Sequence, residues 1–138
     1  MVVMVMDGQG GGIGSVIIKA LRIALTEDVE ILALGTNSAA TARMMKAGAN
    51  RGATGENAIV QTSPKADVIM GPLAILMAHA MMGEVTPRMA EAVILSSAEK
   101  ILIPLTQEKV ALVGITADPL PHLVEEAVRM VKEMTEHV

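Results

Sequence analysis

The sequence predicts an α/β chain, a three-layer sandwich with helices on both faces of a mostly parallel sheet. Three observations predict it. Short continuous apolar runs with β-branched residues alternate with stretches whose apolar residues recur at helical spacing. The first run passes through a glycine cluster directly into the first helical stretch. Hydrophobic residues make up 51% of the 138 positions, enough to cover a sheet on both sides. Area scaling gives a folded surface of roughly 6,800 Å² against roughly 21,000 Å² for the open chain, so about two thirds of the surface can leave water. The length is that of one domain, residues 1–138, and no repeat or low-complexity linker divides it.

Val2–Met6 is an unbroken apolar run, as in a strand buried on both faces. Ile13, Val16, Ile17, Ala20, Leu21, Ala24 and Leu25 then recur at i, i+3, i+4 and i+7, which is an amphipathic helix. Val29–Leu34 is a second buried strand. Residues 2–35 therefore form one βαβ unit, with a right-handed crossover and parallel strands. Gly35-Thr36-Asn37-Ser38 is a turn and N-cap cluster that opens a second helix, and Gly48 stops it as a C′ glycine. "ANRGATGENAIVQTSPK" holds either a short third strand near Arg51–Ala53 or a loop, followed by a helical turn around Glu56–Gln61. Asp67–Met70 is the next strong strand, closing on Gly71-Pro72.

Leu73–Met82 is apolar all round and reads as a helix. Thr86 as N-cap and Pro87 at the first helical position start another, running to about Ala98. Lys100–Ile103 and Val110–Ile115 read as further strands. Asp118-Pro119 leads into a last helix, with Leu120, Leu123, Val124, Ala127, Val128, Val131 and Met134 on one side. The expected strand order is 3-2-1-4-5, with the first strand central.

Composition excludes several function classes. The net charge is −4 with no basic cluster, and there is no Phe, Tyr or Trp to stack on bases, so no nucleic-acid partner is expected. The absence of cysteine removes disulfides, thiolate catalysis and Cys-ligated zinc. No apolar run reaches the roughly 18 residues of a membrane span. The apolar N-terminus enters glycines with no basic region before it and reads as a strand, not a signal peptide. The expected location is the cytoplasm. His79, inside "LAILMAHAMM", reads as a core or interface residue, and His122 and His137 as surface residues of the last helix. With no paired histidines, no metal site is assigned.

The chemistry concentrates in "DGQGGGIG", where five of the seven residues from Gly8 to Gly14 are glycine. The G-x-G-x-x-G fingerprint fails here, because Ile13 or Ser15 falls on its last glycine, and no Gly-Lys-Ser/Thr follows for a P-loop. Gly8-Gln9-Gly10-Gly11-Gly12-Ile13-Gly14 does fit G-x-x-x-G-I-G. That pattern resembles the cofactor loop of short-chain dehydrogenases, T-G-x-x-x-G-[IL]-G, with Asp7 in the place of the threonine. The resemblance implies a Rossmann-like fold holding NAD, NADP or another phosphate-bearing nucleotide. Bare backbone lets a pyrophosphate approach, and the free N–H groups of the first helical turn point at it. The competing reading is packing, with Gly12 and Gly14 only letting the helix lie close on the sheet.

Two departures limit the resemblance. The short-chain dehydrogenase proton donor is a tyrosine with a lysine four residues on, and this chain has no tyrosine. The end of the second strand, where NAD folds place an acidic residue for the ribose, holds Gly35, Thr36 and Asn37. Their hydroxyl and amide groups suit a ribose, or a 2′-phosphate with help from Arg43.

"ALGTN", "AGANRGATGENAIV", "ADVIMGP", "GEVTPRMAEA" and "KILIPL", taken with the glycine loop, resemble a family of short bacterial proteins known as a conserved domain of unknown function. This likeness spans nearly the whole chain. It implies a Rossmann-like fold and a site, and no reaction.

Ligands of open α/β sheets bind beyond the carboxyl ends of the strands. Asp7–Gly14, Gly35–Ser38, Thr54–Asn57, Gly71-Pro72 and Pro104–Gln107 are expected to gather there. Thr54, Glu56 and Asn57 form the second candidate set: Glu56 suits a ribose or a proton transfer, or the first turn of a helix that Thr54 caps. Asp7 either holds magnesium against a phosphate or bonds the backbone of its own loop.

Three functions follow. The favoured one is a nucleotide-binding module or sensor. The second is a small enzyme using Glu56, Asp7 or His79 in proton transfer. The third is a structural oligomer with an empty crevice. A homodimer through Met77, Met81 or Met82 is expected, since half of an all-apolar helix needs a partner.

Overall fold

Among the described residues, five strands lie side by side, all parallel: β1 (Val2–Asp7), β2 (Glu30–Gly35), β3 (Arg51–Thr54), β4 (Val68–Pro72) and β5 (Glu99–Ile103). Their order is β3-β2-β1-β4-β5, with β1 in the centre as the sequence predicts. The computed structural model describes residues 1–25 and 28–136. His137 lies outside the described residues.

Helices follow the strands in alternation: α1 (Gly12–Ala24), α2 (Ser38–Lys46), α3 (Glu56–Thr62), α4 (Pro87–Leu95) and α5 (Leu120–Glu136). The pleat of β1 divides the core between two faces. Val3 and Val5 point into one layer with Ile17, Ile18 and Leu21 of α1 and Val124, Val128 and Val131 of α5. Met4 and Met6 point into the other, with Ile59 of α3 and Met89 and Val93 of α4. Residues 3–6 of β1 have no exposed surface, which explains their lack of any polar alternation.

The boundary signals act as their chemistry dictates. Asn37 caps α2 by accepting from the Ala40 amide at 2.8 Å, and Thr86 caps α4 by accepting from the Met89 amide at 3.2 Å, with Pro87 at the first position. Gly48 follows α2 at φ +122°, the left-handed region a C′ glycine supplies. The alternative left open at Arg51–Ala53 resolves as a strand, Arg51–Thr54, paired with β2.

Two expected elements do not form. Leu73–Met82 is not an α-helix. A short 3₁₀ segment covers Leu73–Leu76, and consecutive turns follow to Gly83. His79, Met81 and Met82 have φ of 72°, 57° and 56°. Tertiary bonds set this shape: His79 N–H donates to Val85 O at 2.6 Å, and Met81 N–H donates to the Glu108 carboxylate at 3.0 Å. An apolar run carries no signal for such turns, because packing against the sheet needs apolar side chains in either conformation.

Val110–Ile115 is not a strand but part of an irregular segment, residues 104–119. A parallel partner for β5 needs a crossover of about a dozen residues or more. Only residues 104–109 separate Val110 from the end of β5.

Candidate functional site

The glycine loop joins the carboxyl end of β1 to the start of α1, at the centre of the sheet. Beside it opens a cleft of about 620 Å³, within the range of small-molecule sites. Asp7, Gly8, Gln9, Gly10, Gly12 and Ile13 form one wall. Pro72, His79 and Met81 stand on the β4 side, with Leu105, Thr106 and Gln107 from the irregular segment. The cleft thus unites the glycine loop with Pro72 and with part of the Pro104–Gln107 loop.

The glycines divide into two groups. A Cβ at Gly14 would lie 2.5 Å from Met44 Sδ and 2.9 Å from Asp7 Cβ, so the close approach of α1 to α2 and β1 requires its absence. Gly11 has φ +72°, and a Cβ there would lie 2.9 Å from the backbone of Ala40. At Gly8 a Cβ would meet Thr36 Oγ1 at 2.5 Å and Met81 Sδ at 2.6 Å. Packing accounts for these three. It does not account for Gly10 and Gly12. A Cβ at either meets only Arg43 Nη1, at 3.9 Å and 3.6 Å. Bare backbone at these two positions faces open space beneath a guanidinium.

The loop amides divide in the same way. Asp7 is buried and accepts from Gly8 N–H at 2.8 Å through Oδ1 and from Gly14 N–H at 2.7 Å through Oδ2. Of the two roles open to Asp7, the bonds seen are those of a brace for its own loop. Burial pushes its carboxyl above the usual value, against the opposing effects of the Gly14, Gly8 and Ile13 amides and of Arg43. Gln9 N–H donates to Glu84 at 2.8 Å and Gly11 N–H to Gly8 O at 2.9 Å. Among the described residues, no protein acceptor meets the Gly10 or Gly12 N–H. These two amides lie beside the Arg43 guanidinium at the positive N-terminal end of α1, so free donors and positive charge converge there.

At the tip of β2, Thr36 and Asn37 gather around Glu84. Glu84 Oε1 accepts from Thr36 Oγ1 at 2.6 Å and from Asn37 Nδ2 at 2.8 Å, besides Gln9 N–H. Partial burial works to raise the Glu84 carboxyl, but the bonds from Thr36, Gln9 and Asn37 outweigh it and hold the pKa below the usual value. Glu84 is absent from the sequence-derived set. The signal available was "GEVTP", an acidic residue just ahead of a helix cap, in a loop that leaves a strand at its carboxyl end.

The second candidate set is drawn into structural bonds. Thr54 Oγ1 lies 2.7 Å from Thr41 Oγ1, and Gly55 N–H donates to Gly35 O at 2.9 Å. Glu56 accepts from the cap hydroxyl of Thr86 at 2.6 Å and pairs with Arg88 at 3.6 Å, which ties α3 to α4. Asn57 is exposed. None of Thr54, Glu56 and Asn57 lines the cleft, and neither do Gly35, Thr36, Asn37, Gly71 or Glu84, so the tip of β2 lies outside it. At Gly71 and Gly35 the bare backbone meets Met6 O and Thr41 Oγ1 respectively, so packing accounts for both. His79 is exposed on the cleft rim, on a turn instead of a helix.

The family profile described as "Domain of unknown function (DUF3842)" matches residues 2–136. The chain belongs to this family. Comparison with curated proteins gives no match. Among solved structures, the chain is similar to apo saccharopine dehydrogenase (L-Glu forming) from Saccharomyces cerevisiae, at 13% identity and a TM-score of 0.49 over 91% of this chain. It is also similar to a dodecameric FMN-dependent Ubix-like decarboxylase from Escherichia coli O157:H7, at 15% identity and a TM-score of 0.48 over 97% of this chain. The chain spans 24% of the dehydrogenase's length and 75% of the decarboxylase's.

Proposed function

We propose that this protein binds a phosphate-bearing nucleotide, NAD or NADP foremost, at the Gly8–Gly14 loop, and that it acts as a binding module or sensor. One observation carries the reading. Gly10 and Gly12 are bare where packing does not ask for it, their amides lack a protein acceptor among the described residues, and the Arg43 guanidinium stands over them. A diphosphate supplies the missing acceptors and the missing negative charge. The cleft on the β4 side then receives one end of the ligand.

A binding role is favoured over catalysis by the bonds the acidic candidates make. Asp7 is spent on loop amides and Glu56 on Thr86 and Arg88, which leaves His79 as the titratable candidate at the rim. The reading includes a cytoplasmic location and a homodimer.

The test is thermal. A ligand that binds only the folded state adds about 2.7 kcal/mol at a hundredfold excess over Kd, a melting shift of about 5–10 °C for a chain of this size. NAD, NADP, ADP or FAD is expected to produce it. Gly12→Val is expected to remove the shift and leave the fold, since Gly12 lies within α1 and a Cβ there makes only ordinary contact. No shift with any of these nucleotides, or an equal shift in Gly12→Val, would defeat the reading.

A further inference from the structure

We infer that Glu84 reads the ribose of the bound nucleotide, and that the ligand is a nucleoside diphosphate with a free 2′,3′-diol and not its 2′-phosphorylated form. The inference rests on the nucleotide reading above and specifies its ligand.

The starting point is a mismatch between sequence and fold. A dinucleotide site of this topology straddles the central strand, with the diphosphate on the first glycine loop and the adenosine ribose at the tip of the second strand. An acidic side chain at that tip accepts from the ribose hydroxyls. Here β2 ends in Gly35, followed by Thr36 and Asn37, with no carboxylate among them. The space beside that tip nevertheless holds one. Glu84 arrives from the turn ahead of α4, some fifty residues later in the chain, and is fixed by Thr36, Asn37 and Gln9 N–H at 2.6–2.8 Å. The carboxylate is placed by tertiary structure where other chains place it by sequence.

Its bonding leaves it usable. All three donors converge on Oε1, and among the described residues no hydrogen bond reaches Oε2. Oε2 is an acceptor with open valence next to an anion cradle, and a ribose hydroxyl is a donor of matching chemistry. Asn37 Nδ2 also donates to Gln9 O at 2.9 Å, so the loop that holds the phosphate and the group that reads the sugar are one hydrogen-bonded unit. The three donors also keep the carboxylate ionised at neutral pH.

The same arrangement rejects a 2′-phosphate. A dianion at the ribose would stand against an ionised Glu84. Arg43, the cation that would have to neutralise it, is turned to the glycine loop, with Nη1 3.4 Å from Gly10 O. Arg43 therefore serves the diphosphate and leaves the sugar to Glu84.

The experiment is titration calorimetry of the whole chain with NAD, NADP, 2′-deoxy-NAD and ADP. Wild type is expected to bind NAD at least tenfold more tightly than NADP or 2′-deoxy-NAD. Glu84→Gln, which keeps the acceptor oxygen for Thr36 and Asn37 but loses the charge, is expected to shrink the preference for NAD over NADP by about tenfold. The melting point of the variant, taken first, shows whether it is folded. Equal or tighter binding of NADP by wild type overturns this inference and leaves the nucleotide reading standing. So does an unchanged preference in folded Glu84→Gln, which would make Glu84 only a brace. No binding of any of the four compounds overturns both.

Discussion

Two carboxylates meet the glycine loop, and their environments push them in opposite directions. Asp7 is sealed beneath the loop, so its folded pKa lies above the reference of 3.8. Over the interval from 3.8 up to that folded value, the native protein holds a proton the unfolded chain has lost. Stability then falls as pH rises through this interval. Glu84, at the surface end of the same loop, has its folded pKa below the reference of 4.5. Its contribution is present above 4.5 and is lost as pH falls through the folded value. The variants separate the two. Relative to wild type, Asp7→Asn is expected to gain melting temperature as pH climbs from 3.8 to neutral. Glu84→Gln is expected to lose its disadvantage as pH drops below 4.5. Melting curves from about pH 3 to pH 7 check both, and parallel profiles for all three proteins would refute the assignment.

At the scale of the elements, the junction of β1 and α1 tests how the glycines divide their work. Gly14→Ala presses a methyl against Met44 Sδ and Asp7 Cβ, and overpacking of this kind costs about 1–3 kcal/mol. Gly12→Ala meets only Arg43 Nη1 at 3.6 Å and restricts the unfolded chain, a gain of about 0.4–1 kcal/mol. Urea midpoints are expected to move in opposite directions, and a loss of more than about 1 kcal/mol in Gly12→Ala would assign Gly12 to packing as well.

This division also shows what a sequence can and cannot reveal. The spacing of Gly8, Gly12 and Gly14 locates a strand–loop–helix junction, because each glycine marks bare backbone. The reason for each one depends on Met81, Arg43 and Met44, which approach from other elements and leave no mark near residue 14. The strands β1, β2 and β4 are readable from their apolar runs, and the caps Asn37 and Thr86 from side-chain chemistry. The turns at His79–Gly83 are not, since an apolar run suits a buried turn and a buried helix equally. Glu84 escapes notice for a related reason: its partners Thr36 and Asn37 are distant in sequence, and only the folded turn brings them together.

The whole molecule leaves apolar surface that its own fold does not cover. The sheet ends at β5, and the segment after it exposes Val110, Leu112, Val113 and Ile115, at 43%, 41%, 103% and 52%. Met82 is 96% exposed on the neighbouring turn, which the bond from Met81 N–H to Glu108 ties to the same segment. Leu73–Met82 forms no all-apolar helix, so no helix face there needs a partner. We propose these exposed apolar residues in its place as the face a second copy covers, since a two-fold axis lets one such surface cover its copy. Light scattering at micromolar concentration is expected to give about twice the chain mass of 14.4 kDa. Met82→Lys combined with Val113→Lys is expected to return the mass to a single chain with the melting point of the fold retained, because neither side chain belongs to the core. Dissociation is also expected to reach the cleft, since Leu105, Thr106 and Gln107 on its rim belong to the segment that carries the patch. The affinity for NAD should therefore fall in the monomeric variant. A wild-type protein that scatters as one chain at these concentrations would show that the patch serves something other than a second copy.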